Sequence, residues 1–226
     1  MKQFDVFEEV ERTSLTQYQL KSAIPTRWVR TWQGDKVKCR LVAKYLKCKD
    51  FVRYKDDLYA ATPTFVVVKM LAVLALSFGW GIWCADVATA FLHAPLVGDP
   101  VFVLPPPDHH STLVWRLKKA MYGLRQAPKA WQEHLCAILL TLGYLQSQYE
   151  PCVLYSRVST DPLFILLYVD DLFVVGHPTA CQRFFTSLTS HFLFKLTGEL
   201  NSEGGECLLP RPSFATTWRF SQDSKF

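Results

Sequence analysis

The sequence predicts an α+β fold, an antiparallel sheet with helices on one face. Three observations carry this. Short apolar runs end in turn signals, as at VFVLPPPDHH and LLYVDDLFVVG. Two stretches place apolar residues at helical spacing, around Trp131–Leu142 and Phe184–Phe194. Strands and helices alternate irregularly and with hairpins, unlike the regular βαβ units of a parallel sheet.

The elements follow in order. The opening segment is acidic and amphipathic, with Phe4, Phe7 and Val10 on one helical face. RWVRTWQGDKVKCRLVAKYL reads as a β-hairpin turning at Gly34-Asp35, and Asp56 to Pro63 reads as loop. Thr64 to Phe78 reads as a buried helix, ended by Gly79-Trp80-Gly81, and Ile82 to Ala85 as a short strand running into Asp86. Pro95 and Gly98-Asp99-Pro100 are turn signals before the strand and Pro-rich loop of VFVLPPPDHH. Pro128 suits the first turn of a helix whose apolar face is Trp131, Leu135, Ile138, Leu139 and Leu142, with Gly143 as its cap. Pro151 to Arg157 reads as a strand, Leu163 to Gly176 as two strands, and Phe184 to Phe194 as an amphipathic helix.

Composition excludes several classes. Half of the 226 residues are hydrophobic and 14% aromatic, too many for a disordered chain. The polar, acidic N-terminus is not a signal peptide. The apolar stretch before Gly79 spans roughly 22 Å at helical rise, short of the ~30 Å hydrocarbon core, so no membrane span is expected. The seven Cys contain no CxxC pair and read as reduced thiols of an intracellular protein, and the six His read as structural.

Charge is uneven. Lys21 to Lys55 holds eleven basic residues against Asp35 and Asp50, a local +9 in a chain of net +5. Trp28, Trp32, Tyr45, Phe51 and Tyr54 interleave with it. Such a block suits a polyanion and, through its rings, the stacking of nucleic-acid bases; the plainer reading is a solvated Lys-rich surface.

The pair Asp170-Asp171 is the main anomaly, because from Phe164 to Val175 every other residue is hydrophobic. Adjacent buried carboxylates repel, so one should titrate abnormally high. Adjacent strand residues also face opposite ways, so both acids serve one site only at a bend, which a hairpin turn at Asp170-Asp171 would supply. Asn-Gly would make a better turn, so turn chemistry alone does not explain the pair. Asp86 ends another short apolar strand. Three carboxylates at strand ends are the hard oxygen donors that Mg²⁺ takes.

These stretches resemble the reverse transcriptase domain of copia-type LTR retrotransposons. The resemblance rests on YVDD at 168–171, DVATAFLHA at 86–94, LKKAMYGLRQAPKAW at 117–131, KCRLVAK at 38–44 and TGEL at 197–200, in the family's order. It runs from about Trp28 to Leu200. It implies a polymerase palm plus fingers: an N-terminal acidic helix or extension over 1–20, basic fingers over 21–63, palm over 64–94, further fingers over 95–130, palm again over 131–203, and a divergent tail over 204–226.

It also implies roles. Asp86, Asp170 and Asp171 would be catalytic and, with the Val87 carbonyl, would hold two Mg²⁺ ions, which Mn²⁺ could replace. Lys38 and Arg40 would clamp the triphosphate of a dNTP. Phe91 would exclude a ribose 2′-hydroxyl, though plain core packing explains it equally well. Tyr122 and Gly123 would lie under the nascent pair, and Arg125, Gln126 and Tyr168 would meet template or primer. The implied partners are an RNA or DNA template with its primer, and dNTPs; the implied location is cytoplasmic, in a virus-like particle, or nuclear. Oligomeric state is not legible.

Ala127 and Tyr45 depart from the family pattern, where Ser and Gly are usual. Beyond Gly205 the sequence leaves the pattern altogether and no thumb follows, as expected of a fragment or a decayed copy. Two rivals stand beside an active polymerase. One is a catalytically silent relic that keeps the fold and binds nucleic acid. The other is an integrase-like metal site pairing Asp170 with Glu206, a spacing that chance explains.

Overall fold

The computed structural model describes residues 1–45, 58, 60–109, 112–158 and 160–200. Along the chain the first elements are β1 (Phe7–Val10), α1 (Gln17–Ser22), β2 (Ile24–Gln33), β3 (Lys36–Ala43), α2 (Phe65–Phe78) and β4 (Gly81–Val87). Next come β5 (Val101–Leu104), β6 (Val114–Leu117), α3 (Ala127–Thr141), β7 (Tyr144–Gln146) and β8 (Val153–Ser156). The described chain closes with β9 (Leu163–Tyr168), β10 (Asp171–Gly176), α4 (Pro178–Leu188) and β11 (Phe194–Leu200). The architecture is mixed α/β and divides into two units, one of residues 1–60 and 89–135, the other of 61–88 and 136–226.

The first unit is built on a sheet ordered β1-β6-β5-β2-β3. Its β2–β3 hairpin turns at Gly34-Asp35 as the sequence indicates, with Gly34 at φ +57. The N-terminal segment departs from the helical expectation: β1 pairs antiparallel with β6, Phe7 opposite Leu117. The aromatic spacing that suggested a helix instead lets Phe7 stack on Trp115, ring centroids 4.0 Å apart, while Glu8 meets Arg116 at 3.1 Å. The first helix is α1, begun by a reciprocal cap. Thr16 Oγ1 accepts from the Gln19 N–H (3.2 Å), and the Thr16 N–H donates to Gln19 Oε1 (2.8 Å).

The second unit contains a sheet ordered β11-β4-β10-β9-β8-β7, antiparallel at every pairing. Its core joins Leu71 and Ala75 of α2 to Ile82, Cys84, Phe173, Val175, Leu166 and Val153 on one face. Trp83 faces the other way and meets Phe185 of α4, ring centroids 6.0 Å apart. Helices therefore cover both faces, which corrects the one-face expectation. The cause lies in β4 and β10, which are apolar at successive positions and so need cover on each side.

Two helical readings shift. Only Leu71 and Ala75 of α2 are fully buried, while Val66, Met70, Val73 and Leu76 are exposed, so α2 is amphipathic in burial although apolar all round. The second amphipathic helix begins at Pro178 and ends at Leu188, earlier than its Phe pattern suggested, because Pro178 opens the first turn and Phe194 joins β11. Strands β6, β7 and β11 were not legible as strands.

Cys136, Cys152 and Cys181 are buried and Cys39 exposed, and none of these four is in a disulfide. Cys84 is disulfide-bonded, which corrects the expectation of reduced thiols throughout; Cys48 and Cys207 lie outside the described residues. So do the distal part of the basic block (47–55), Glu206 and the tail. Among the described residues no helix is long and apolar enough to cross a membrane.

Candidate active site

In the second unit, β10 is sandwiched between β4 and β9, and this fixes where the acids stand. Asp171 is the Cα partner of Asp86 across β10 and β4, and of Tyr168 across β10 and β9. The two central residues of the hairpin loop are therefore Val169 and Asp170, a correction of the turn expected at Asp170-Asp171. Asp171 is the first residue of a strand. Its side chain shares a sheet face with that of Asp86, as cross-strand partners do. Asp170 stays beside them through its backbone, its carbonyl accepting the Val87 N–H at 3.0 Å.

Val169 makes this turn at φ +55, a left-handed conformation that a β-branched residue rarely adopts. In a two-residue hairpin loop a positive φ at the first central position is usual for glycine. The neighbouring pairings of β9, β10 and β4 hold the strained residue in place.

All three acids are half-buried. Burial first, and the charges of Asp170 and Asp86 acting the same way, together push the Asp171 carboxyl up to about 7. The abnormal titration expected of the pair therefore falls on Asp171. On the other side of Asp86, Lys195 of β11 is its Cα partner, so Lys195, Asp86 and Asp171 form a row across three strands. Sequence reading missed Lys195. Its signal, a basic residue two before TGEL, has no meaning until β11 is known to pair with β4.

The donor set is hard carboxylate oxygen, the kind that Mg²⁺ takes, and the like charges that raise the Asp171 pKa are what a divalent cation would relieve. Among the described residues no group of three or more His, Cys, Asp or Glu side chains already stands ready to hold an ion. The chemistry fits, while a closed ligand cage is not preformed.

In the first unit, four of the residues assigned to the nucleotide come together. The Arg40 guanidinium lies 5.7 Å from the Tyr122 ring centroid, and Phe91 packs on the same ring at 4.9 Å. The Ala43 N–H donates to the Tyr122 carbonyl at 2.8 Å, tying the loop to β3. Gly123 follows at φ +88, where a Cβ would run into the Ala43 carbonyl and the Val42 side chain. Glycine is needed there for both reasons. Lys38 lies on the same hairpin face as Arg40, two positions along β3. Arg125 and Gln126 lead into α3, and the Gln126 Oε1 is buried with no hydrogen-bond partner.

Residues 13–205 match the family described as reverse transcriptase (RNA-dependent DNA polymerase), and the chain belongs to that family. It is 30% identical over 186 residues to the retrovirus-related Pol polyprotein from transposon RE1 of Arabidopsis thaliana, covering 77% of this chain and 13% of that polyprotein. The corresponding protein from transposon TNT 1-94 of Nicotiana tabacum is 29% identical over 167 residues, 69% of this chain and 12% of the relative. A putative transposon Ty5-1 protein of Saccharomyces cerevisiae is 34% identical over 121 residues, 51% of this chain and 39% of its own length. The chain thus spans about an eighth of the plant polyproteins.

Proposed function

We propose that this chain is the polymerase domain of a copia-type retrotransposon Pol protein, adding dNTPs to a primer 3′-hydroxyl on an RNA or DNA template. The second unit serves as palm and the first as fingers. The observation that carries the reading is the register of Asp171 against Asp86, with Asp170 tied to Val87 by a backbone hydrogen bond.

Asp86, Asp170 and Asp171, with the Val87 carbonyl, would hold two Mg²⁺ ions. Bound there, the ions would lower the charge barrier to attack on the α-phosphate and to pyrophosphate departure. The chain's own residues do the rest. Arg40 offers a planar fork to the triphosphate and Lys38 a point charge, both on one face of the hairpin. Tyr122 holds Phe91 by ring contact, and Phe91 closes the space a 2′-hydroxyl would need. Gly123 lets the backbone approach closely. Arg125, Gln126 and Tyr168 would meet template or primer, and the unpartnered Gln126 Oε1 supports a polar partner for that residue. Catalysis of this kind is largely positioning and charge neutralisation.

Primer extension on poly(rA)/oligo(dT) with Mg²⁺ or Mn²⁺ tests the reading. Incorporation by the wild-type chain that Asp170→Asn abolishes is the expected result. A folded chain that binds the hybrid and never extends it would leave a silent relic instead.

A further inference from the structure

The β2–β3 hairpin has two sides, and its strand register separates their chemistry. Arg27, Val29, Thr31 and Gln33 lie opposite Val42, Arg40, Lys38 and Lys36, and this is the side that carries Arg40 to Tyr122. The other side pairs Trp28 with Leu41, Arg30 with Cys39 and Trp32 with Val37. Along one strand it therefore presents indole, guanidinium, indole at every second residue.

These side chains are not core. Trp32 is 74% exposed and Trp28 41% exposed, and Arg30 between them is exposed. Trp28 is also held in place: its indole N–H donates to Asp108 Oδ1 at 3.1 Å, which fixes the ring while leaving part of it open. Two large rings kept at the surface invite association unless a ligand uses them.

We propose that this outer side is a stacking platform for single-stranded nucleic acid, with Trp28, Arg30 and Trp32 each taking one base. Side chains at alternate strand positions lie about 6.4–6.8 Å apart, roughly twice the 3.4 Å rise of a stacked strand. The ladder therefore fits bases splayed from an unpaired strand and rejects a duplex, whose base faces are hidden. Rings and guanidinium planes stack on any base, so sequence preference is weak. The hairpin supplies the charge: Arg27, Arg30, Lys36, Lys38 and Arg40 against Asp35 give it a net +4. This deepens the polymerase reading, and rests on it only in identifying the strand as the unpaired template ahead of the primer.

The test is equilibrium binding of the full chain in EDTA, without dNTPs, so that its outcome is independent of catalysis. The probes are a labelled oligo(rU) of about twelve nucleotides, a blunt RNA–DNA hybrid and inorganic polyphosphate. Trp32→Ala should weaken oligo(rU) binding roughly tenfold, the loss of one stacked base, and leave the hybrid and polyphosphate within about twofold. Trp32→Phe should recover most of the loss. Unchanged oligo(rU) affinity in Trp32→Ala, or an equal loss on all three probes, would overturn the platform. Primer extension by the wild-type chain then judges the polymerase reading separately.

Discussion

Asp86 and Asp171 are direct cross-strand partners, with Lys195 beyond Asp86 and the Asp170 loop beside Asp171. Residues 85 positions apart in the chain thus stand at one end of one sheet because β4 lies between β10 and β11. The pairing sets a like charge directly against the raised carboxyl of Asp171. It is half-buried, and both other acids act on it.

Asp86→Asn and Asp170→Asn should each lower nucleotide incorporation by at least roughly a thousandfold, as loss of a group that stabilises developing charge does. Neither should destabilise the fold, since each relieves repulsion in the metal-free protein. Single-turnover extension with circular dichroism of the same samples checks both halves. Normal extension by either variant would refute the assignment.

The folded-state pKa of Asp171, about 7, lies above its ordinary 3.8, so the folded chain holds this proton more tightly than the unfolded chain does. Stability from the protonated form is complete below about pH 4 and is lost as pH rises through 7. Asp171→Asn stays neutral throughout. Its melting temperature should match wild type near pH 4 and exceed it above pH 7 in EDTA. Discounted for partial exposure, the gain is about 1–2 kcal/mol. A difference that ignores pH contradicts the burial and charge argument.

Val169→Gly removes a left-handed β-branched residue. Relief of about 1–3 kcal/mol of strain outweighs glycine's extra chain entropy of about 0.5–1 kcal/mol, so urea unfolding should show a net gain of about 1 kcal/mol. A loss of stability would mean that Val169 packing outweighs its φ.

Gly123→Ala should do the opposite. The added methyl meets the Ala43 carbonyl and the Val42 side chain at a positive φ. The expected loss is about 2 kcal/mol or more, with the Tyr122 loop displaced from β3. Thermal melts, and Tyr122 ring shifts by NMR, report the two effects.

Phe91→Ala should raise rNTP incorporation relative to dNTP on the order of tenfold or more, the scale of a steric distinction in a pocket. Extension assays with matched dNTP and rNTP give the ratio. An unchanged sugar preference would return Phe91 to plain packing against Tyr122.

Local chemistry was legible in the residues themselves. The anomaly of two acids in an apolar run, the Gly34-Asp35 hairpin, the Pro128 start and the Gly143 stop each follow from side-chain type and spacing within a few residues. The order of the motifs along the chain already carries the family resemblance. What escaped was everything set by distant pairing. The turn centres on Val169-Asp170 because β9, β10 and β4 must keep one register, and no local preference would put valine at positive φ. β1 is a strand because β6 is there to receive it. Lys195 matters only as a neighbour of Asp86, and the indole–guanidinium–indole row becomes one surface only when β2 is extended with that side exposed. Hydrophobic periodicity reports which residues seek burial; which strands meet is decided by the closure of whole sheets, and that is a property of the tertiary structure alone.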